Sequence, residues 1–220
     1  MTQSRIDHIV IGASTLKLGA DYVERVLGVQ VPDGGDHIMM GTHNKVMTLG
    51  EGVYLEIIAV NPKLEPPGRP RWFGLDDPNV ISSLEKSPRL ITWAINTSDL
   101  EALTNESKLA VGDIQQAERG DLRWRVALPD DGRLSAAGFF PLCIEWLVDF
   151  HPSERMPDLD CRLQKLEIRH RRAKWLQQCL ASIEAENLVS INECDDSETA
   201  LLTATIQTPS GTQILSSAIE

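Results

Sequence analysis

Two glutamates stand where a soluble chain rarely places them. Glu56 lies in the stretch YLEII and Glu145 in PLCIEW, each surrounded by apolar and β-branched residues. Side chains alternate along a strand, so Tyr54, Glu56 and Ile58 share one face, as do Cys143, Glu145 and Leu147. A carboxylate among such neighbours is costly unless it is paired, hydrogen-bonded or coordinated. Near the amino terminus, His8 shares a face with Ile6 and Val10. If these three groups converge, an imidazole and two carboxylates can bind a polar ligand and move its proton, which makes Glu56 and Glu145 candidate catalytic residues. The competing reading is that the glutamates pair with basic residues, for which Arg123 and Arg125 are at hand, or line a polar pocket.

Other side chains could complete a binding site. His37 and His43 flank a short strand, so one of them could face the mouth of a concave sheet, or both could be surface or capping residues. Asn44 could bond a ligand or cap the turn GTHN. Trp124 and Trp146 lie on strands, as pocket walls or plain core, and Arg125 beside Trp124 is a second substrate-binding candidate. His151 follows the last strand of its segment, just before Pro152.

The elements that must position these residues repeat. Residues 5–12 (RIDHIVIG) alternate as a strand. Ser14 then offers an N-cap, residues 15–27 carry a helical apolar stripe, and Gly28 offers the C-cap. Strand signals follow at 37–40, 45–49 and 53–60, with Gly34-Gly35 and Glu51-Gly52 as turns. The order strand, helix, three strands returns with a strand at 89–96, a helix at 98–108 and strands at 113–119, 122–128 and 139–150. It returns again, less distinctly, with a strand at 162–169, a helix at 171–184 and strands at 189–193, 200–208 and 212–216. Between the first two units, residues 61–88 hold six prolines, too many for regular ladder pairing. This connector carries a short helix at 79–86, and its Trp72-Phe73 is either a lid over a pocket or a pin for a linker. The fold class expected is α+β. Its βαβββ units divide the chain at 5–60, 89–152 and 162–217.

This order, with GGDH at 34–37, GTHN at 41–44 and YLEII at 54–58, resembles the glyoxalase-like branch of the vicinal oxygen chelate superfamily. In the second unit, Arg123-Trp124, FPLCIEW at 139–146 and His151-Pro152 fit the same branch. The resemblance implies that two units pair into a cup-shaped curved sheet holding a divalent metal. It implies His8, Glu56 and Glu145 as metal ligands, with Thr92, a poor ligand, opposite His8 where a fourth would stand. One imidazole and two carboxylates form a hard, open set suited to Zn, Mn, Fe or Mg. The function implied is a metal-dependent lyase, isomerase or dioxygenase acting on a small oxygenated molecule. The alternative is a metal-free sequestering protein of the bleomycin-resistance type, or an interaction module built on the third unit.

Composition narrows the partners. The 220 residues carry a formal net charge of −11, which disfavours nucleic acid, and no basic run suggests a membrane surface. The first residues lack the basic and apolar stretch of a signal peptide. The four cysteines form no CxxC pair and read as reduced and buried, so a cytoplasmic location is expected. Dinucleotide, P-loop, GxSxG and HExxH signatures are absent from the sequence. The third unit has no evident intrachain partner. It is therefore expected to pair with a second copy, giving a homodimer, or to cap the cup's open edge.

Overall fold

A computed structural model describes residues 4–218. The first unit comprises β1 (Arg5–Gly12), α1 (Leu16–Leu27), β2 (Asp33–His37), β3 (Thr42–Thr48) and β4 (Tyr54–Val60). After the connector and its helix α2 (Pro78–Lys86), the second unit gives β5 (Arg89–Asn96), α3 (Leu100–Glu106), β6 (Asp113–Arg119), β7 (Leu122–Leu128) and β8 (Leu142–Trp146). The third gives β9 (Arg162–His170), α4 (Ala173–Ala181), β10 (Ser190–Glu193), β11 (Leu201–Thr208) and β12 (Gly211–Ser216). The expected α+β class and βαβββ repeat are both present.

The first two units build one eight-stranded sheet in the order β2-β3-β4-β1-β5-β8-β7-β6. Their first strands, β1 and β5, meet antiparallel at its centre, with His8 opposite Ala94 and Val10 opposite Thr92. The sheet curls until its two edge strands touch, because Arg119 at the end of β6 bonds His37 at the end of β2. Both faces are therefore buried. The convex face packs Ile9, Ile57, Trp93 and Ile95 against Val23 and Leu27 of α1. The concave face gathers Val10, Ile58, Val126 and Ile144, with Trp72 and Phe73 of the connector laid over them. Burial on two sides is why these strands read as nearly continuous apolar runs.

The third unit forms its own sheet, β10-β9-β11-β12. Its apolar face, from Leu166, Ile168, Leu202, Ala204 and Ile206, joins the convex-face core. It lies over β5 and beside α1. It therefore does not cap the cup's open edge, and its apolar face already has an intrachain partner, which removes the reason for expecting a second copy there. The four cysteines are unpaired and buried. No described helix is long and apolar enough to cross a membrane.

Several local expectations move. Thr15, not Ser14, caps α1, its hydroxyl accepting from the Leu18 amide at 3.2 Å, while Gly28 closes the helix in the left-handed region at φ 74°. Gly34 and Gly35 are not a turn but lie inside β2, and residues 38–40 form a 3-10 turn. Gly34 leaves room there for Asn44, since a Cβ on it would sit 2.2 Å from Asn44 Oδ1. The last strand of the second unit is five residues rather than twelve, because Gly138 at φ 93° and Pro141 hold the preceding chain out of the ladder.

Candidate functional site

The concave face holds a partly open cavity. His8, Tyr54, Glu56, Asn44 and His37 from the first unit line one wall; Arg119, Trp124, Ile144 and Trp146 from the second line the other; Trp72 and Phe73 of the connector close it. Of the residues picked from the sequence, the structure brings together His8, Glu56, His37, Asn44, Trp124 and Trp146.

At the centre, His8 and Glu56 are 3% and 5% exposed. The His8 Nδ1–H donates to Asp7 Oδ1 at 2.5 Å, which turns Nε2 toward Glu56 Oε2 at 3.7 Å, too far for a hydrogen bond. Tyr54 stacks on the imidazole with ring centroids 4.5 Å apart. Burial between the Asp7 and Glu56 carboxylates holds the Tyr54 phenol well above its ordinary range.

Asp7 was not legible as a site residue. It is fully buried, and its Oδ2 accepts from Trp146 Nε1, His151 Nε2 and Asn96 Nδ2 at 2.7, 3.0 and 3.1 Å. Burial alone pushes its pKa up, but the hydrogen bonds and charge of His151 and His8 together outweigh it and hold the carboxyl well below the usual range. The signal that hides it is a bulge: Ile6 faces Ile95 and His8 faces Ala94, so Asp7 has no place in the ladder. His151 is fixed in turn by Ser153, whose amide donates to its Nδ1 at 3.2 Å.

On the other side of Glu56 a second network runs to the cup's rim. Asn44 Nδ2 donates to Glu56 Oε1 at 2.7 Å, while Asn44 Oδ1 accepts from the Gly35 amide and from Arg119 Nη1 at 3.0 and 3.2 Å. The same Nη1 donates to His37 Nε2 at 3.0 Å, so the His37 proton sits on Nδ1, toward Thr42 Oγ1 at 3.1 Å. Burial first, then the adjacent Arg119 guanidinium, push the His37 pKa down to about 3. This group is neutral when folded and protonates near its ordinary 6.5 when unfolded. Below that value the unfolded chain binds the extra proton, so stability is intact above pH 6.5 and falls as pH drops toward 3. At pH 5 the loss should be about 2 kcal/mol. His37→Gln should flatten the dependence of denaturation midpoint on pH between 7 and 5; an unchanged slope would put the titration elsewhere.

Three expected site residues are elsewhere. Glu145 does not reach His8 or Glu56. Ile144 and Trp146 face the cavity, so Glu145 between them faces α3, where it accepts from Arg125 Nε and Nη2 at 2.9 and 2.5 Å and from the Leu100 amide at 3.3 Å. Arg125, alternating with Trp124 and Val126, is that partner and also bonds Glu101, so it is a structural ion pair rather than a cavity residue. His43 lies outside beside Asp36 and Lys63, because its neighbour Asn44 takes the inward position. Thr92 donates its hydroxyl to the Gly138 carbonyl at 3.1 Å. The donor set expected for a metal is thus reduced to His8 and Glu56. Among the described residues no three His, Cys, Asp or Glu side chains form a ligating group, and the side chains present do not fit a tightly held divalent ion.

Comparison with known proteins agrees with this architecture. A glyoxalase-like domain family model matches residues 6–183. No curated protein matches the sequence. Among solved structures, a hypothetical protein from Staphylococcus aureus is similar over 97% of this chain and 84% of its own, at 13% identity and a TM-score of 0.58. A Streptomyces coelicolor methylmalonyl-CoA epimerase variant is similar over 66% of this chain and 97% of its own (18% identity, TM-score 0.40). A mutant 4-hydroxymandelate synthase from the same organism is similar over 98% of this chain and 63% of its own (15% identity, TM-score 0.45). The match over most of the chain, on the paired βαβββ sheet just described, places this protein in the glyoxalase-like domain family.

Proposed function

We propose that the cup binds one small oxygenated molecule and that Glu56 and His8 hold or move a proton on it. The observation that carries this is the 3.7 Å gap between His8 Nε2 and Glu56 Oε2 on the cavity wall. Asp7 accepts from the His8 Nδ1–H and so fixes Nε2 as the nitrogen that faces Glu56, whose second oxygen stands opposite it. The two groups face each other without a hydrogen bond between them, and a ligand hydroxyl or acidic C–H seated there can exchange a proton with either. Fixed orientation and exclusion of water are what make such a pair an effective base. A metal-free binding protein is the second reading, favoured by the aromatic walls Trp72, Trp124 and Trp146.

The test is a thermal-shift screen of small hydroxy and oxo compounds, repeated with EDTA. Hits should persist in EDTA. His8→Ala and Glu56→Gln should each weaken them about tenfold to a hundredfold, the range of a lost buried charge-assisted hydrogen bond. Exchange of a ligand C–H proton with deuterated solvent separates an enzyme from a binder. Loss of every hit on chelation, with one divalent ion per chain by elemental analysis, would overturn the proton-handling reading in favour of metal chemistry.

A further inference from the structure

We infer that the ligand of this cup carries a carboxylate, bound at the rim by Arg119 and the indole N–H of Trp72. The inference rests on the reading of the cup as a small-molecule site and narrows its substrate class. Among the described residues, Arg119 is the only Lys or Arg lining the cavity. It is half-buried, yet among the described residues no carboxylate lies within ion-pair distance of it. Its hydrogen bonds run through Nη1 alone, to the neutral acceptors His37 and Asn44. Among the described residues the Nε and Nη2 edge of the guanidinium has no acceptor, and that planar edge matches the two oxygens of a carboxylate.

The surroundings keep this charge available. Asn44 stands between Arg119 and Glu56, giving its oxygen to one and its amide to the other, so the acid cannot neutralise the guanidinium. His37 is held neutral by burial and by Arg119 itself, so no second cation competes for the anion. The connector adds an independent sign. Trp72 is 5% exposed, lines the cavity and packs edge-on against His37 with ring centroids 5.0 Å apart. Its Nε1–H is buried without a hydrogen-bond acceptor. An orphaned buried donor is uncommon, and Trp72 and Arg119 both pack on His37. A bound carboxylate would satisfy both. The ligand would then lie with its acid group at the rim and its hydroxyl, carbonyl or acidic C–H toward Glu56 and His8.

The probes are a panel of aromatic and aliphatic 2-hydroxy acids, 3-phenyllactate among them, each paired with its neutral primary amide. Binding to the full chain is followed by tryptophan fluorescence. Wild-type protein should bind the acids about tenfold to a hundredfold more tightly than the amides, with a preference that shrinks as salt rises. Arg119→Gln should abolish the preference, and Trp72→Phe should reduce it while keeping the apolar wall. Glu56→Gln should weaken acids and amides alike and leave their ratio unchanged. Equal binding of acid and amide by the wild type overturns the carboxylate assignment and leaves the cup as a small-molecule site. Binding of neither across the panel overturns both. Because the decisive ratio is measured on the wild type, a poorly folding Arg119 variant does not shelter the inference.

Discussion

Asp7→Ala is expected to lower the unfolding free energy by about 3–5 kcal/mol, the cost of removing one partner from a buried charged network. In a chain of this length that corresponds to a fall of about 6–20 °C in the melting temperature. The size follows from the number of groups left behind. Asp7 is the common acceptor for His8, His151, Trp146 and Asn96, which come from or follow three different strands of the central sheet. Alanine leaves four donors without an acceptor in a fully buried place. Asp7→Asn should cost less, because its amide oxygen still accepts, but its NH2 meets at least one of those donors head-on. The pH dependence has a sign that identifies the residue. A carboxyl whose folded pKa is depressed binds protons more weakly than in the unfolded chain. Its contribution is therefore full above the ordinary carboxylate range and is lost as pH falls below it. Wild type should lose stability there more steeply than Asp7→Ala, which keeps only the loss from His37 that opens near pH 6.5. Chemical denaturation at pH 7, 5 and 3 checks both. A loss under 1 kcal/mol at pH 7 would mean that the donors find water or other acceptors, and the proposed role of Asp7 in orienting His8 would go with it. His8 would then present either nitrogen to the cavity, and the pairing with Glu56 would lose its fixed geometry.

The contrast between Asp7 and Glu145 shows what a sequence carries and what it does not. Strand period alone correctly groups Tyr54 with Glu56 and His8 with Val10, but the bulge at Asp7 turns Ile6 onto the convex-face core, away from His8; the apolar frame around Glu56 marks an acid that needs a partner. Period does not say which face of a strand is the concave one. In β8 both faces are buried, by Cys143 on one side and Ile144 on the other, so hydrophobicity supplies no phase. Adjacent residues cannot both enter the cup. Naming Glu145 with Trp146, and Trp124 with Arg125, put both faces of a strand in one site, and the structure keeps the tryptophans. Asp7 fails for the opposite reason: strict alternation would turn it away from His8, and only the bulge against β5 brings the two side chains together. Arg119 belongs to a third kind. Its place on β6 was readable, but its meeting with His37 depends on the closure of an eight-stranded sheet, and no local pattern encodes that. The connector lies between these cases. Its prolines excluded a strand and its two aromatics suggested either a lid or a pin, and Trp72 and Phe73 serve as both.

Gly132→Ala should open that lid. Gly132 lies in the turn after β7, in the left-handed region at φ 67°, and a Cβ there would stand 2.0 Å from the Arg71 carbonyl oxygen and 3.2 Å from that of Pro70. Neither atom can yield without moving the backbone of the connector. The two segments are clasped at this point: the Gly74 amide donates to the Gly132 carbonyl at 2.7 Å, and Arg69 Nη2 donates to the Pro129 carbonyl at 3.0 Å. An alanine therefore costs backbone strain of about 1–2 kcal/mol and overpacking of about 1–3 kcal/mol, unless the connector lifts away instead. Lifting exposes Trp72 and Phe73, each worth about 1.5–3 kcal/mol of burial. The cheaper route sets the loss, so about 2–5 kcal/mol is expected either way. The two routes differ in what else changes. A lifted connector takes Trp72 off His37, red-shifts tryptophan emission, admits water to the cavity and weakens any cup ligand along with the fold. A strained but seated connector lowers the melting temperature and leaves emission and affinity alone. Gly68→Ala is the control in the same segment, since a Cβ there meets no atom within 4 Å. If Gly132→Ala melts and emits like Gly68→Ala, the clasp does not hold the lid. The closure of the cup would then have to come from the packing of Trp72 and Phe73 on the sheet alone.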